Sequence, residues 1–364
     1  MKKILVLIND SSWTYNLRKE LLEKLLKEEN KVIIVCPIGE YTEELKKMGC
    51  EFINTSFSRH GKNIIKDFKL LINYIRTIKF IKPDIVLTFT IKPNIYGGMA
   101  CRLLKVPYLV NITGLGTALE NKSFMQKILI YLYKIALKNV NCIFFQNEEN
   151  KKFFLEKGFN LKNSKLIPGS GVSLDRFQLQ EYPFEDKNIN FVFISRIMKE
   201  KGIDQYLEAA KFIKNKYPNT NFHICGFCED NYMKILKEYE KKDIIDYHGM
   251  IKNVQEFLKN IHCTIHPTYY PEGMSNVLLE SCASGKPIIT TNRSGCKEIV
   301  DDNINGFIIN QRDTKDLIEK IEKFLKLSWE EKKEMGLNGR KKMENQFDRN
   351  IVIDSYLEKI NQIK

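Results

Sequence analysis

The chain has 364 residues, which suggests two domains at ~100–200 residues per domain, and its 43% apolar and 28% charged composition excludes a disordered or fibrous chain. No stretch approaches the ~18 consecutive apolar residues of a transmembrane helix, and the apolar run at 4–8 is too short for a signal-peptide core, so a cytosolic protein is expected. The net charge of +13 lies wholly in the first half, because residues 1–180 hold 29 Lys+Arg against 16 Asp+Glu and residues 181–364 hold 29 against 29. That asymmetry excludes a uniformly basic protein and points to an anionic partner for one half, nucleic acid or a membrane surface.

Nine cysteines, an odd number scattered through strand-like and helix-like contexts, read as reduced thiols. In chain order, β-branched runs at 4–8, 32–35, 85–88, 108–112 and 142–146 alternate with helical patterns and predict a parallel, doubly wound sheet. A second series follows the polar stretch 178–190, at 191–194, 222–225, 244–247, 263–266 and 287–290. The expected fold is therefore α/β, with two facing Rossmann-like domains over 1–182 and 183–345. A helix is expected over 346–364, its return to the first domain left open. The turn Pro168-Gly169-Ser170-Gly171 also punctuates the chain, just upstream of the boundary.

In open α/β sheets ligands bind at the carboxyl ends of the strands, so the loops there carry the functional argument. The first loop, Asn9-Asp10-Ser11-Ser12-Trp13, has no glycine, which counts against a dinucleotide cofactor. The loop after 191–194 contains Arg196 and Lys201, a pair suited to a diphosphate: Arg by its bidentate fork, Lys as a point charge. Pro271-Glu272-Gly273-Met274-Ser275-Asn276-Val277-Leu278-Leu279-Glu280 puts one carboxylate in a glycine-containing loop and another inside the helix that follows. Eight residues is about 80° past two helical turns, so both carboxylates can border one cleft above a helix N-terminus with N–H groups for an anion. Read alone, Glu272 would only complement the helix dipole and Glu280 would sit on an exposed face.

Together these residues resemble the retaining glycosyltransferases of family 4, which have the two-Rossmann GT-B architecture. The E-x7-E spacing of Glu272 and Glu280, Arg196 and Lys201 in S-R-x4-K-G, and Gly226 occur in the family's order. The first half looks like a subgroup that extends bacterial lipid-linked saccharides, through Pro83-Asp84-Ile85-Val86, Thr90-Ile91-Lys92-Pro93-Asn94-Ile95-Tyr96-Gly97, Asn111-Ile112-Thr113-Gly114-Leu115-Gly116 and Pro168-Gly169-Ser170-Gly171-Val172. The resemblance implies that Arg196 and Lys201 neutralise the donor diphosphate, Glu280 takes the ribose hydroxyls and Glu272 holds the transferred sugar. Backbone N–H groups of Ser275, Asn276 and Val277, with Gly273 and Met274 beside them, would reach phosphate or sugar oxygens. Gly226, Met250 and Ile251 would complete the donor site beside the base. Ser12, Arg18, Arg59, Lys92, Asn94, Thr113, Gly114 and Gly116 are expected around the acceptor.

Two departures matter: the first loop lacks the glycine pair of many members, and Thr113 stands where many have histidine, so no catalytic base is named. His60, His223, His248 and His262 do not cluster in sequence, and His266, though near the donor loop, reads as packed. Cys225-Gly226-Phe227-Cys228 has no partner pair for a zinc site. The chain has no D-x-D triplet, so no metal and no cofactor are expected beyond the UDP-sugar donor. Basic residues interleave with apolar ones over 59–82 and 122–138, a pattern that can lie on anionic membrane or merely pack on the sheet. The expectation is a cytoplasmic enzyme, peripheral on the inner face of the cell membrane, moving an N-acetylhexosamine from a UDP-sugar to a polyprenyl-diphosphate-linked saccharide. The rivals are a UDP-N-acetylglucosamine 2-epimerase and a basic nucleic-acid-binding protein; no nucleic-acid motif is visible.

Overall fold

The computed structural model describes residues 1–55, 64–184, 188–228 and 230–363. The chain forms two compact units, one of Met1–Ser170, Glu272–Met274 and Arg349–Lys364, the other of Gly171–Pro271 and Ser275–Asp348. Arg59, His60 and Lys62 lie outside the described residues.

The first unit is built on a parallel sheet of seven strands: β1 (Lys3–Leu7), β2 (Lys31–Cys36), β3 (Glu51–Asn54), β4 (Ile85–Phe89), β5 (Tyr108–Ile112), β6 (Cys142–Phe145) and β7 (Ser164–Leu166). Their order is β3-β2-β1-β4-β5-β6-β7. Strands β1, β2, β4, β5 and β6 are apolar runs because helices cover both sheet faces, which leaves no solvent side to read as alternation. Asp10 caps the Ser11–Lys27 helix through Trp13 N–H (2.9 Å), Ser123 caps Phe124–Ala136 and Asn147 caps Glu148–Glu156.

The C-terminal helix Arg349–Asn361 belongs to this unit. Val352, Ile353, Tyr356, Leu357 and Ile360 join the core of Ile4, Val6, Leu21, Ile34 and Phe144. At about 1.5–3 kcal/mol per buried large apolar side chain, that face alone anchors the helix. Arg349 pairs with Glu20, and Tyr356 OH accepts from Asn111 Nδ2 at 2.7 Å.

The second unit carries six parallel strands, β8 (Ile189–Ile194), β9 (Thr220–Cys225), β10 (Asp246–Tyr247), β11 (Cys263–His266), β12 (Ile288–Thr291) and β13 (Gly306–Ile309), in the order β10-β9-β8-β11-β12-β13. The unit begins at Gly171, upstream of the 182/183 boundary read from the sequence. Bonds internal to the second unit hold this stretch: Val172 N–H donates to Phe347 O, Gln180 N–H to Ser284 O and Tyr182 OH to His262 O. Among the described residues no helix is long and apolar enough to cross a membrane, and all nine cysteines are buried thiols.

Candidate active site

In the second unit the strand order reverses direction at β8, flanked by β9 and β11, which is where an open parallel sheet forms its ligand crevice. The ends of β8, β9 and β10 are stitched together by hydrogen bonds, all but one of them between backbones. Ser195 N–H donates to Cys225 O (3.0 Å), Ile197 N–H to Phe227 O (2.8 Å), Gly226 N–H to Gly249 O (2.7 Å) and Tyr247 OH to Gly226 O (2.9 Å). Gly226 has φ +139°, and a Cβ there would lie 1.8 Å from Ser195 O, so the close approach of two strand ends requires glycine. Gly202, at φ +82°, likewise leaves no room beside Pro267 O (2.2 Å).

This stitching presents the two cations expected to hold a diphosphate. Arg196 is exposed on the loop after β8, whereas Lys201 is 9% exposed and ends the short 3-10 turn Lys199–Lys201. Both stand over one aromatic ring that no sequence motif marks: the Arg196 Cζ lies 5.5 Å and the Lys201 Nζ 5.0 Å from the centroid of Tyr270. The ring face attracts both cations and gathers them at one point. Tyr270 is set in turn by its N–H to Thr268 Oγ1 (3.1 Å), while Tyr269 N–H and Thr268 Oγ1 both bond Glu200 O.

The helix Asn276–Ala283 supplies the complementary feature. Its first internal bond runs from Leu279 N–H to Ser275 O, so the N–H groups of Asn276, Val277 and Leu278 have no helical partner. The expectation for Ser275 needs correction, because its N–H already donates to Gly295 O at 2.8 Å. Its side chain remains available: Ser275 Oγ is buried, makes no cap bond and has no hydrogen-bond partner. Glu280 is half-buried in the second turn of the helix. The Gly249 turn (φ +63°) carries Met250, which is 71% exposed, and half-buried Ile251. Cations, helix amides and a hydroxyl at one sheet end can stabilise a polyanionic leaving group.

Glu272, Gly273 and Met274 are packed into the first unit. Asn147, which no sequence motif marks, donates from Nδ2 to Gly273 O (2.5 Å) and Glu272 O (3.3 Å). A Cβ on Gly273 would meet Gln146 Oε1 at 2.2 Å and Thr113 O at 2.5 Å, so Thr113 contributes its carbonyl to this contact. Gly114 (φ +134°) and Gly116 (φ +63°) turn the same loop after β5. Glu272 itself is half-buried.

Other acceptor-side expectations are redistributed by the fold. Arg18 is buried, its guanidinium 4.7 Å from the Phe89 ring, and burial lowers its pKa. Asn94 is also buried, accepting from Thr88 Oγ1 (2.8 Å) and donating to Asn111 O (2.8 Å). Both therefore serve the interior of the unit, since their polar groups point into a packed sheet end. Lys92 forms a 2.7 Å ion pair with Asp67, which also accepts from Tyr96 OH. Ser12 is half-buried in the first turn of its helix. Of the histidines, His266 is buried at the end of β11, while His223 and His248 meet across β9 and β10 with ring nitrogens 3.1 Å apart.

Comparison with known proteins gives this arrangement a lineage. Residues 3–147 match the family described as glycosyl transferase 4-like, and residues 175–342 match glycosyl transferases group 1. The chain is 26% identical to the N,N'-diacetylbacillosaminyl-diphospho-undecaprenol alpha-1,3-N-acetylgalactosaminyltransferase of Campylobacter jejuni, covering 96% of each chain. It is 29% identical to the UDP-Gal:alpha-D-GlcNAc-diphosphoundecaprenol alpha-1,3-galactosyltransferase of Escherichia coli, covering 71% of this chain and 70% of that one. Among solved structures, HepE of Anabaena in complex with UDP-glucose shares the fold over the full length of both chains, with a TM-score of 0.82 at 15% identity. The chain belongs to family 4 of the glycosyltransferases and has their GT-B architecture of two parallel-sheet α/β domains.

Proposed function

We propose that this glycosyltransferase is a retaining, metal-independent hexosyltransferase that moves a UDP-activated sugar, an N-acetylhexosamine, onto a polyprenyl-diphosphate-linked saccharide during surface-polysaccharide or glycan assembly. The observation that carries the reading is the convergence of Arg196 and Lys201 on the Tyr270 ring at the switch point of the second sheet. A nucleoside diphosphate leaves with extra negative charge, and fixed cations with helix amides favour that charge more than the bound substrate. In the proposed step the bond from the anomeric carbon to the diphosphate oxygen breaks, and the acceptor oxygen bonds the same face. The acceptor proton passes to the departing diphosphate, so no protein nucleophile is needed. The lipid-linked acceptor is supported by the names of both relatives and the UDP donor by that of the Escherichia coli one.

We place the enzyme on the cytoplasmic face of an anionic membrane. On the helix Ile64–Ile81 the apolar Ile65, Phe68 and Phe80 are exposed beside Lys66, Lys69, Arg76 and Lys79. Phe124 and Tyr131 are exposed on Phe124–Ala136 near Lys127. Exposed apolar side chains among cations suit a bilayer interface better than either water or a duplex. Incubation with labelled UDP-N-acetylgalactosamine or UDP-N-acetylglucosamine and an undecaprenyl-diphosphate-linked saccharide tests the reading. Label moving into the organic-extractable lipid supports it; conversion to another free nucleotide sugar without lipid labelling would favour a 2-epimerase.

A further inference from the structure

We infer that Asn147 is a positioning residue that sets Glu272 for the reaction, an inference that rests on reading Glu272 as the carboxylate that grips the transferred sugar. Asn147 lies two residues beyond the end of β6 and is 2% exposed. Its amide is used from both ends. Oδ1 accepts from Asn150 N–H (2.8 Å) and caps the Glu148–Glu156 helix, while Nδ2 donates to Gly273 O (2.5 Å) and Glu272 O (3.3 Å).

A helix cap needs only an acceptor, which Ser, Thr or Asp provides as well as Asn. The donor end is therefore unexplained by the helix and is consumed wholly by the loop that carries Glu272. The surroundings leave that loop few alternative positions. Gly273 sits where a Cβ would collide with Gln146 Oε1 and Thr113 O, and a Cβ on Gly169 would lie 2.4 Å from the Met274 Cβ. Gln146 is braced in its turn, donating to Asn111 Oδ1 (3.2 Å), whose Nδ2 bonds Tyr356 OH on the C-terminal helix. Three consecutive residues are thus clasped from the ends of β5, β6 and β7. Because reacting groups must be held to within roughly 0.5 Å, a buried two-pronged donor on this backbone governs where the carboxylate stands.

Asn147→Ser and Asn147→Asp separate the two ends of the side chain, since both keep a cap acceptor and lose the Nδ2 donor, and the serine hydroxyl sits too close to the backbone to replace it on both carbonyls. Aspartate also sets an anion against two carbonyls. In the full chain, release of UDP from UDP-N-acetylgalactosamine and UDP-N-acetylglucosamine should fall tenfold or more in kcat, further for Asp than for Ser. The affinity for UDP alone should stay within twofold, because Arg196, Lys201 and Glu280 are untouched. Hydrogen exchange of the 272–274 amides should quicken while the Glu148–Glu156 helix keeps its protection. Parental kcat and unchanged exchange at 272–274 in both variants would overturn the inference, as would loss of protection in the helix itself. Glu272→Gln distinguishes the levels: parental kcat in that variant would refute the reading of Glu272. An impaired Glu272→Gln beside a fully active Asn147→Ser would refute the role of Asn147 alone.

Discussion

Two glycines of the second unit make a matched experiment on what the donor loops demand. Gly226 has φ +139° and a Cβ there would lie 1.8 Å from Ser195 O, while Gly249 has φ +63° and nothing within 4 Å of its missing Cβ. Replacing Gly249 by alanine therefore imposes only the left-handed backbone penalty, about 1–2 kcal/mol. Replacing Gly226 imposes a backbone penalty of about 1–3 kcal/mol and an overpacking penalty of about 1–3 kcal/mol, because the obstacle is main chain that cannot rotate away. The total, about 2–6 kcal/mol, must be relieved by separating the ends of β8 and β9, and Ser195 carries Arg196 with it. Urea unfolding should thus place Gly226→Ala well below Gly249→Ala in stability. Calorimetric titration should show UDP affinity weakened at least tenfold in the first variant and by less than about threefold in the second. Equal stability and equal UDP affinity in the two variants would refute the claim that this approach shapes the donor loop.

His262 is buried, accepts Asn190 N–H at Nδ1 (3.0 Å) and is held down to about 4, chiefly by burial. The unfolded ring takes up its proton near 6.5, so stability should fall as pH drops from about 6.5 to 4, by about 3 kcal/mol in all. His262→Asn should flatten that part of the profile in urea unfolding at pH 7 and pH 5, and an unaltered profile would contradict it. If, as proposed, Arg196, Lys201 and the helix amides take the diphosphate, transfer should survive EDTA; complete loss restored by magnesium or manganese would refute this. Reversing Lys66, Lys69 and Lys79 to glutamate should release the protein from anionic liposomes at physiological salt, at ~1 kcal/mol per basic residue near the surface, while UDP affinity stays. Undiminished co-sedimentation of that triple variant would move the docking surface to the 122–138 segment.

The central strands were legible because helices bury them on both faces and favour largely apolar runs, as at Lys31–Cys36 and Ile85–Phe89, where a single residue of each is polar. The strands that escaped notice, Glu51–Asn54, Ser164–Leu166 and Gly306–Ile309, are short edge strands; the first two are partly polar, and the third, though apolar, is only four residues long and opens on a glycine. The neighbourhood of Arg196 and Lys201, which share the Tyr270 ring, was legible through their spacing along one chain. Tyr270 and Asn147 were not, because their roles arise from partners distant in sequence: Lys201 for the one, Gly273 for the other. Asn147 before Glu148 and Glu149 carries the composition of an ordinary helix cap, and only the fold shows what its second prong holds. The occupied N–H of Ser275 was invisible for the same reason, since Gly295 lies in a later loop.

The most direct measurement is calorimetric titration of UDP into the parent protein, Arg196→Ala and Glu280→Gln. Loss of one charge-assisted hydrogen bond costs ~1.5–3 kcal/mol, so each variant should bind UDP roughly tenfold or more weakly than the parent. Unchanged UDP affinity in both variants would contradict the assignment of the donor site to the second unit.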